Sequence, residues 1–124
     1  MQINTKRYGK TTVLKPSSAI IFELILYWSG SNDNIAQLAR ACAAAIAIAI
    51  DKPGLPKYKP SIHKPDNFGH DCLNRLLNQG ETTNTIFKTG SAILQYYADF
   101  LPTEEETEEA KDFLDSAPQD DTNV

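Results

Sequence analysis

The sequence predicts a mainly α-helical single domain, a small bundle of four to five helices with a short N-terminal β-hairpin or strand before it and a disordered acidic tail after it. Three observations carry this. The 124 residues are 41% hydrophobic and 23% charged, an ordinary globular composition at a length that supports one modest core and not two. Apolar residues recur at helical spacing in blocks punctuated by Gly and Pro. β-Branched residues flank Tyr8-Gly9-Lys10, a turn sequence close to the N-terminus. The domain is expected over 1–115 and the tail over 116–124.

Residues 2–15, QINTKRYGKTTVLK, read as the hairpin or one irregular strand. Pro16 breaks that pattern, and Ser17 or Ser18 can cap a helix that runs to Tyr27 or Trp28 and stops at Gly30. This helix, AIIFELILYWSG, is apolar nearly all round, so it is expected at the centre of the core or under a partner. Asp33 is the natural N-cap of the next helix, QLARACAAAIAIAID. Alanine is the best helix former, and its small side chain lets a neighbouring backbone come close. The stretch is therefore a packing surface, either gripped inside the core or receiving another chain.

Pro53, Pro56, Pro60 and Pro65 rule out a helix from Lys52 to Asp66. The resulting loop is long for a compact domain, so it either wraps the core with Leu55, Tyr58 and Ile62 or carries function. A third helix, 67–79, places Phe68, Cys72, Leu73, Leu76 and Leu77 on one stripe, with Gly80 as its C′ residue. A fourth opens at Thr83 or Thr85, buries Ile86, Ile93, Leu94, Tyr97 and Leu101, and closes at Pro102; its Gly90 permits a close crossing. Thr103 with Glu106 forms a capping box for a fifth, weakly held helix ending near Leu114.

Chemistry is sparse. His70-Asp71-Cys72 lacks the companions of a zinc site, and Cys42 and Cys72 lie on apolar stripes, where a thiol is inert. No metal, cofactor or catalytic set is expected, so the chain reads as a non-enzyme. The two cysteines fit a reduced intracellular protein, and no leader pattern or membrane span of about 20 apolar residues is present. Net charge is −4, with cations in 1–15 and 52–64 and carboxylates massed from Glu104 to Asp121. Nucleic acid is disfavoured by that balance. Protein binding remains, through a helical partner segment laid against apolar helices.

The order of motifs, KPSSAIIFELILYW, NIAQLARACAAAIAIAI, a Pro-rich loop with LPKY, DNFGHDCLNRLLNQG, FKTGSAILQYYADFLP and TEEETEEAKDFLD, resembles the small tail assembly chaperones of tailed bacteriophages and prophages. The resemblance covers most of the chain and rests on order and texture, with no catalytic signature. It implies a non-catalytic helical protein of the bacterial host cytoplasm that binds and solubilises the tape measure protein during tail tube assembly, then leaves. Tail tube protein and a frameshifted longer form of the chain are further partners by the same implication, and self-association into a homo-oligomer is expected from the apolar helix. On this reading Phe22, Ile25, Leu26 and Trp28, with Ile46 and Ile50, line the partner groove. The alternatives are a structural connector or tail completion protein kept in the virion, or a small helical regulator that binds nucleic acid through Lys52 to Lys64.

Overall fold

The computed structural model describes residues 1–15, 34–59, 64–100 and 103–116. Strands β1 (Gln2–Thr5) and β2 (Gly9–Thr12) form a two-stranded antiparallel hairpin, and four helices follow: α1 (Ile35–Ile50), α2 (Pro65–Asn78), α3 (Thr83–Ala98) and α4 (Glu104–Ser116). The predicted helix over 17–28 and the tail beyond Ser116 lie outside the described residues.

The hairpin pairs Gln2 with Thr12, Ile3 with Thr11 and Thr5 with Gly9. Its turn is therefore Lys6 to Tyr8, two residues earlier than Tyr8-Gly9-Lys10. The reason is local: Gly9 takes φ +65°, the left-handed residue that a three-residue hairpin loop needs at its end, and the Tyr8 N–H donates to Thr5 Oγ1. Strand alternation then turns Ile3, Thr5, Thr11 and Val13 inward and leaves Gln2, Asn4, Lys10 and Thr12 outside.

Helix α1 is capped by Asn34, whose side chain accepts from the Gln37 N–H at 2.8 Å, in the place assigned to Asp33. Ala39, Ala41 to Ala45 (with Cys42 among them), Ala47 and Ala49 are all buried, so the reading of α1 as an internal packing helix holds. Its small side chains let both neighbours close in. A β-carbon on Gly69 of α2 would stand 2.8 Å from the Arg40 carbonyl oxygen, and one on Gly90 of α3 would stand 2.7 Å from that of Cys42. Helices normally pack 8–10 Å apart, with side chains setting the separation; here two glycines remove that spacer.

Helix α2 starts at Pro65, two residues before the predicted start at 67, because a proline in the first turn has no intrahelical N–H bond to lose, and it ends at Gly80, φ +97°, whose N–H reaches the Leu77 carbonyl. Phe68, Cys72 and Leu76 are fully buried, while Leu77 stays 39% exposed at the edge of the stripe. Helix α3 carries a reciprocal Thr82/Thr85 capping box one residue before Thr83. Ile86, Gly90, Ile93 and Tyr97 form its inner face. The Pro-rich loop wraps the core as expected for Leu55, which is buried, and for Tyr58, which packs edge-on against Phe68; Ile62 lies outside the described residues. Thr103 caps α4 by accepting from the Glu106 N–H, and Phe113 and Leu114 on α4 are each 72% exposed.

Candidate functional surface

Burial first removes the two groups that sequence chemistry would try. Cys72 is fully enclosed, and burial, reinforced by the neighbouring Asp71 carboxylate, pushes its thiol far above the usual range. Cys42 is raised by the same desolvation, partly offset by a hydrogen bond with Ser91. Thiols held neutral in this way are poor nucleophiles. His70 is exposed and shares a hydrogen bond with Asn74, and no group of three metal-ligating side chains gathers among the described residues. His63 lies outside them.

Of the six residues expected to line the partner groove, the structure describes Ile46 and Ile50. Ile46 and Ile50 are 2% and 3% exposed and belong to the core cluster, so in this conformation they offer no surface to a partner. The cause is the two-sided grip of α2 and α3 on α1, which uses up the face that those isoleucines share. Phe22, Ile25, Leu26 and Trp28 lie outside the described residues.

A different apolar surface is assembled where α3 ends. The Tyr97 ring is buried, and its hydroxyl donates to the Leu14 carbonyl at 2.8 Å, while the Leu14 N–H donates to Ala49. These bonds fix the segment after the hairpin against the last turns of α1 and α3. They leave the Leu14 side chain 48% exposed, and Phe100, one turn past Tyr97, 45% exposed with its ring edge-on to Tyr96. Leu14, Tyr96 and Phe100 were not singled out from the sequence. The signal for Phe100 was there, since Tyr96, Tyr97 and Phe100 repeat at i, i+1 and i+4; the signal for Leu14 was not, because its neighbour is 83 residues away.

A second feature is a polar groove of about 470 Å³ between the loop at Gly54 to Pro56 and the outer face of α2, where Asp71, Asn74, Arg75 and Asn78 stand. Arg75 donates to the Gly54 carbonyl at 2.8 Å and holds the two walls together. The hairpin turn closes one end: the Tyr8 hydroxyl donates to the Pro53 carbonyl and accepts from Gln79 Nε2.

No protein family, curated protein or solved structure matches the chain. Function has to be argued from these surfaces. No helix among the described residues is long and apolar enough to cross a membrane.

Proposed function

We propose that the protein is a tail assembly chaperone of a tailed bacteriophage or prophage, which binds the tape measure protein without catalysis and keeps it dispersed while the tail tube assembles. The observation that carries the reading is the exposure of Leu14 and Phe100, two large apolar side chains almost half exposed where Tyr97 bonds to the Leu14 carbonyl and Tyr96 stacks edge-on with Phe100. Apolar surface held open in this way is what a helical partner covers. The motif order of the chain supports the choice of partner.

The mechanism follows from solvent chemistry. A long helical protein exposes apolar stripes that associate with one another in water, and each stripe that a chaperone covers is removed from that reaction. Carboxylates on α4, seven between Glu104 and Asp115, leave the loaded complex negatively charged and self-repelling. Weak individual contacts suffice when many copies line one long chain, and weak contacts are also what arriving tube subunits can displace.

The test is co-expression with the longest helix-rich protein encoded just downstream in the same genome. Capture of that protein in the supernatant with several copies of this chain supports the reading. A partner-free chain with the long protein in the pellet overturns it, and finding the chain in purified particles moves the assignment to a structural virion component.

A further inference from the structure

The hairpin leaves one strand edge open beside a groove. The Val13 N–H donates to the Met1 carbonyl, so in this register Ile3 with Thr11 and Thr5 with Gly9 are the hydrogen-bonded pairs. Gln2 and Asn4 alternate with them, and their N–H and C=O groups point away from β2. The two edges of the hairpin differ. Just past β2 the Leu14 N–H is taken by the Ala49 carbonyl of α1, and β2 itself carries Lys10, a residue type that blunts an edge. On β1 the first closed group is the Lys6 N–H, which donates to Glu81 Oε1 at 2.6 Å. The outward main-chain groups of Gln2 and Asn4 have no partner among the described residues.

Alongside that edge lies a groove of about 310 Å³, with Asn4 to Lys6 on one side and Thr85, Lys88 and Thr89 of α3 on the other. Its lining is net positive. Lys6 and Lys88 are exposed and make no ion pair among the described residues. The one carboxylate of the lining, Glu81, is engaged at both oxygens, by the Lys6 N–H and by the Thr85 hydroxyl at 2.9 Å.

We propose that an extended segment of a partner chain, carrying a carboxylate, adds to the outer edge of β1 and lies in this groove. Main-chain bonds to Gln2 and Asn4 supply the attachment, as where other sheets take up a peptide strand. Side-chain alternation supplies the selectivity. The partner residue beside Thr5 shares its inward face, into the groove that Thr5 and α3 line, and an Asp or Glu there meets two unpaired lysines. Gln2 and Asn4 each offer one donor and one acceptor, so the contact is weak on its own. It is separate from Leu14 and Phe100, since Leu14 follows β2 on the other edge, and its test does not depend on the proposed function.

Amide NMR on the purified full-length chain tests this, by titration with a synthetic peptide of alternating valine and threonine around one central aspartate. At millimolar peptide the Gln2 and Asn4 amides are expected to shift and to gain protection from hydrogen exchange, with accompanying shifts at Thr85 and Lys88. A peptide with lysine in place of the aspartate binds about three- to fivefold more weakly, and Lys88→Glu reverses that preference. Asn4→Pro abolishes binding of both peptides, while circular dichroism stays unchanged because the Asn4 N–H takes no part in the hairpin. If that variant fails to fold, a peptide N-methylated on alternate amides asks the same question from the other side and should not bind. The proposal is overturned by Gln2 and Asn4 amides that do not respond to peptide, or by equal affinity for the aspartate and lysine peptides. It is also overturned if those amides are already protected before peptide is added, or become so as the protein is concentrated, because the chain itself or a second copy then occupies the edge.

Discussion

A β-carbon on Gly90 would stand 2.7 Å from the Cys42 carbonyl oxygen and closer still to the Cys42 β-carbon, so α1 and α3 cross at a separation that only glycine permits. The neighbours that would have to yield are backbone and a β-carbon of a buried helix, which have no rotamer to escape into.

Gly90→Ala sets two effects against each other. Alanine raises helix propensity by about 1 kcal/mol, and forcing a methyl group into a filled crossing costs about 1–3 kcal/mol or more. Because the clash is with rigid atoms, the cost should exceed the gain. The expected outcome is a net loss of about 1–2 kcal/mol in urea denaturation. A variant more stable than the wild type would show that the helices are not in contact at this point.

Stability should fall in alkaline solution. The unfolded chain releases its thiol protons near pH 8.5, whereas burial holds the thiols of Cys42 and Cys72 neutral in the fold to higher pH. Below that pH both states keep the proton and the contribution is constant; above it only the unfolded state gains by ionising, so the fold loses ground as pH rises. Tyr97, pushed up to about 12 by burial and by the neighbouring Tyr96, extends the decline from pH 10 upward. Each group contributes at most about 1.4 kcal/mol per pH unit. Denaturation midpoints at pH 7, 9 and 10 read this out, and midpoints that stay level across that range would count against buried thiols, as would fast labelling of the native protein by a disulfide reagent at pH 8.

Tyr97→Phe removes the hydroxyl that reaches Leu14 and leaves the ring in the core. The Leu14 carbonyl lies beside a half-exposed side chain and can find water, so the loss should be near the ordinary value for one hydrogen bond, about 1 kcal/mol. Amide hydrogen exchange should locate it: protection ought to drop at Leu14, whose N–H is bonded to Ala49. Unchanged exchange there would mean that the segment is held by something else.

The partner surface separates binding from folding. Leu14→Ser and Phe100→Ser change half-exposed side chains, so each should shift stability by no more than about 0.5–1 kcal/mol while reducing recovery of the long co-expressed protein severalfold. Ile46→Asp makes the opposite prediction, since a carboxylate at a position 2% exposed should unfold the domain outright. If the two serine variants capture the partner as well as the wild type does, the binding surface lies elsewhere on the chain.

Sequence alone determined the elements whose signals are local. Pro53, Gly80 and Gly90, the cap at Thr103, and the alanine run of α1 act within one turn of chain, and each appears where its chemistry directs. Even the errors there are one or two residues: Asn34 for Asp33, and a turn at Lys6 to Tyr8. Which surfaces remain after folding was decided only by the tertiary structure. Ile46 and Ile50 look as available in the sequence as Leu14 and Phe100, but the grip of α2 and α3 on α1 buries the first pair, while Leu14, whose carbonyl the Tyr97 hydroxyl reaches across 83 residues, and Phe100 stay almost half exposed. Exposure is a property of what packs against a side chain, and no local pattern carries that information.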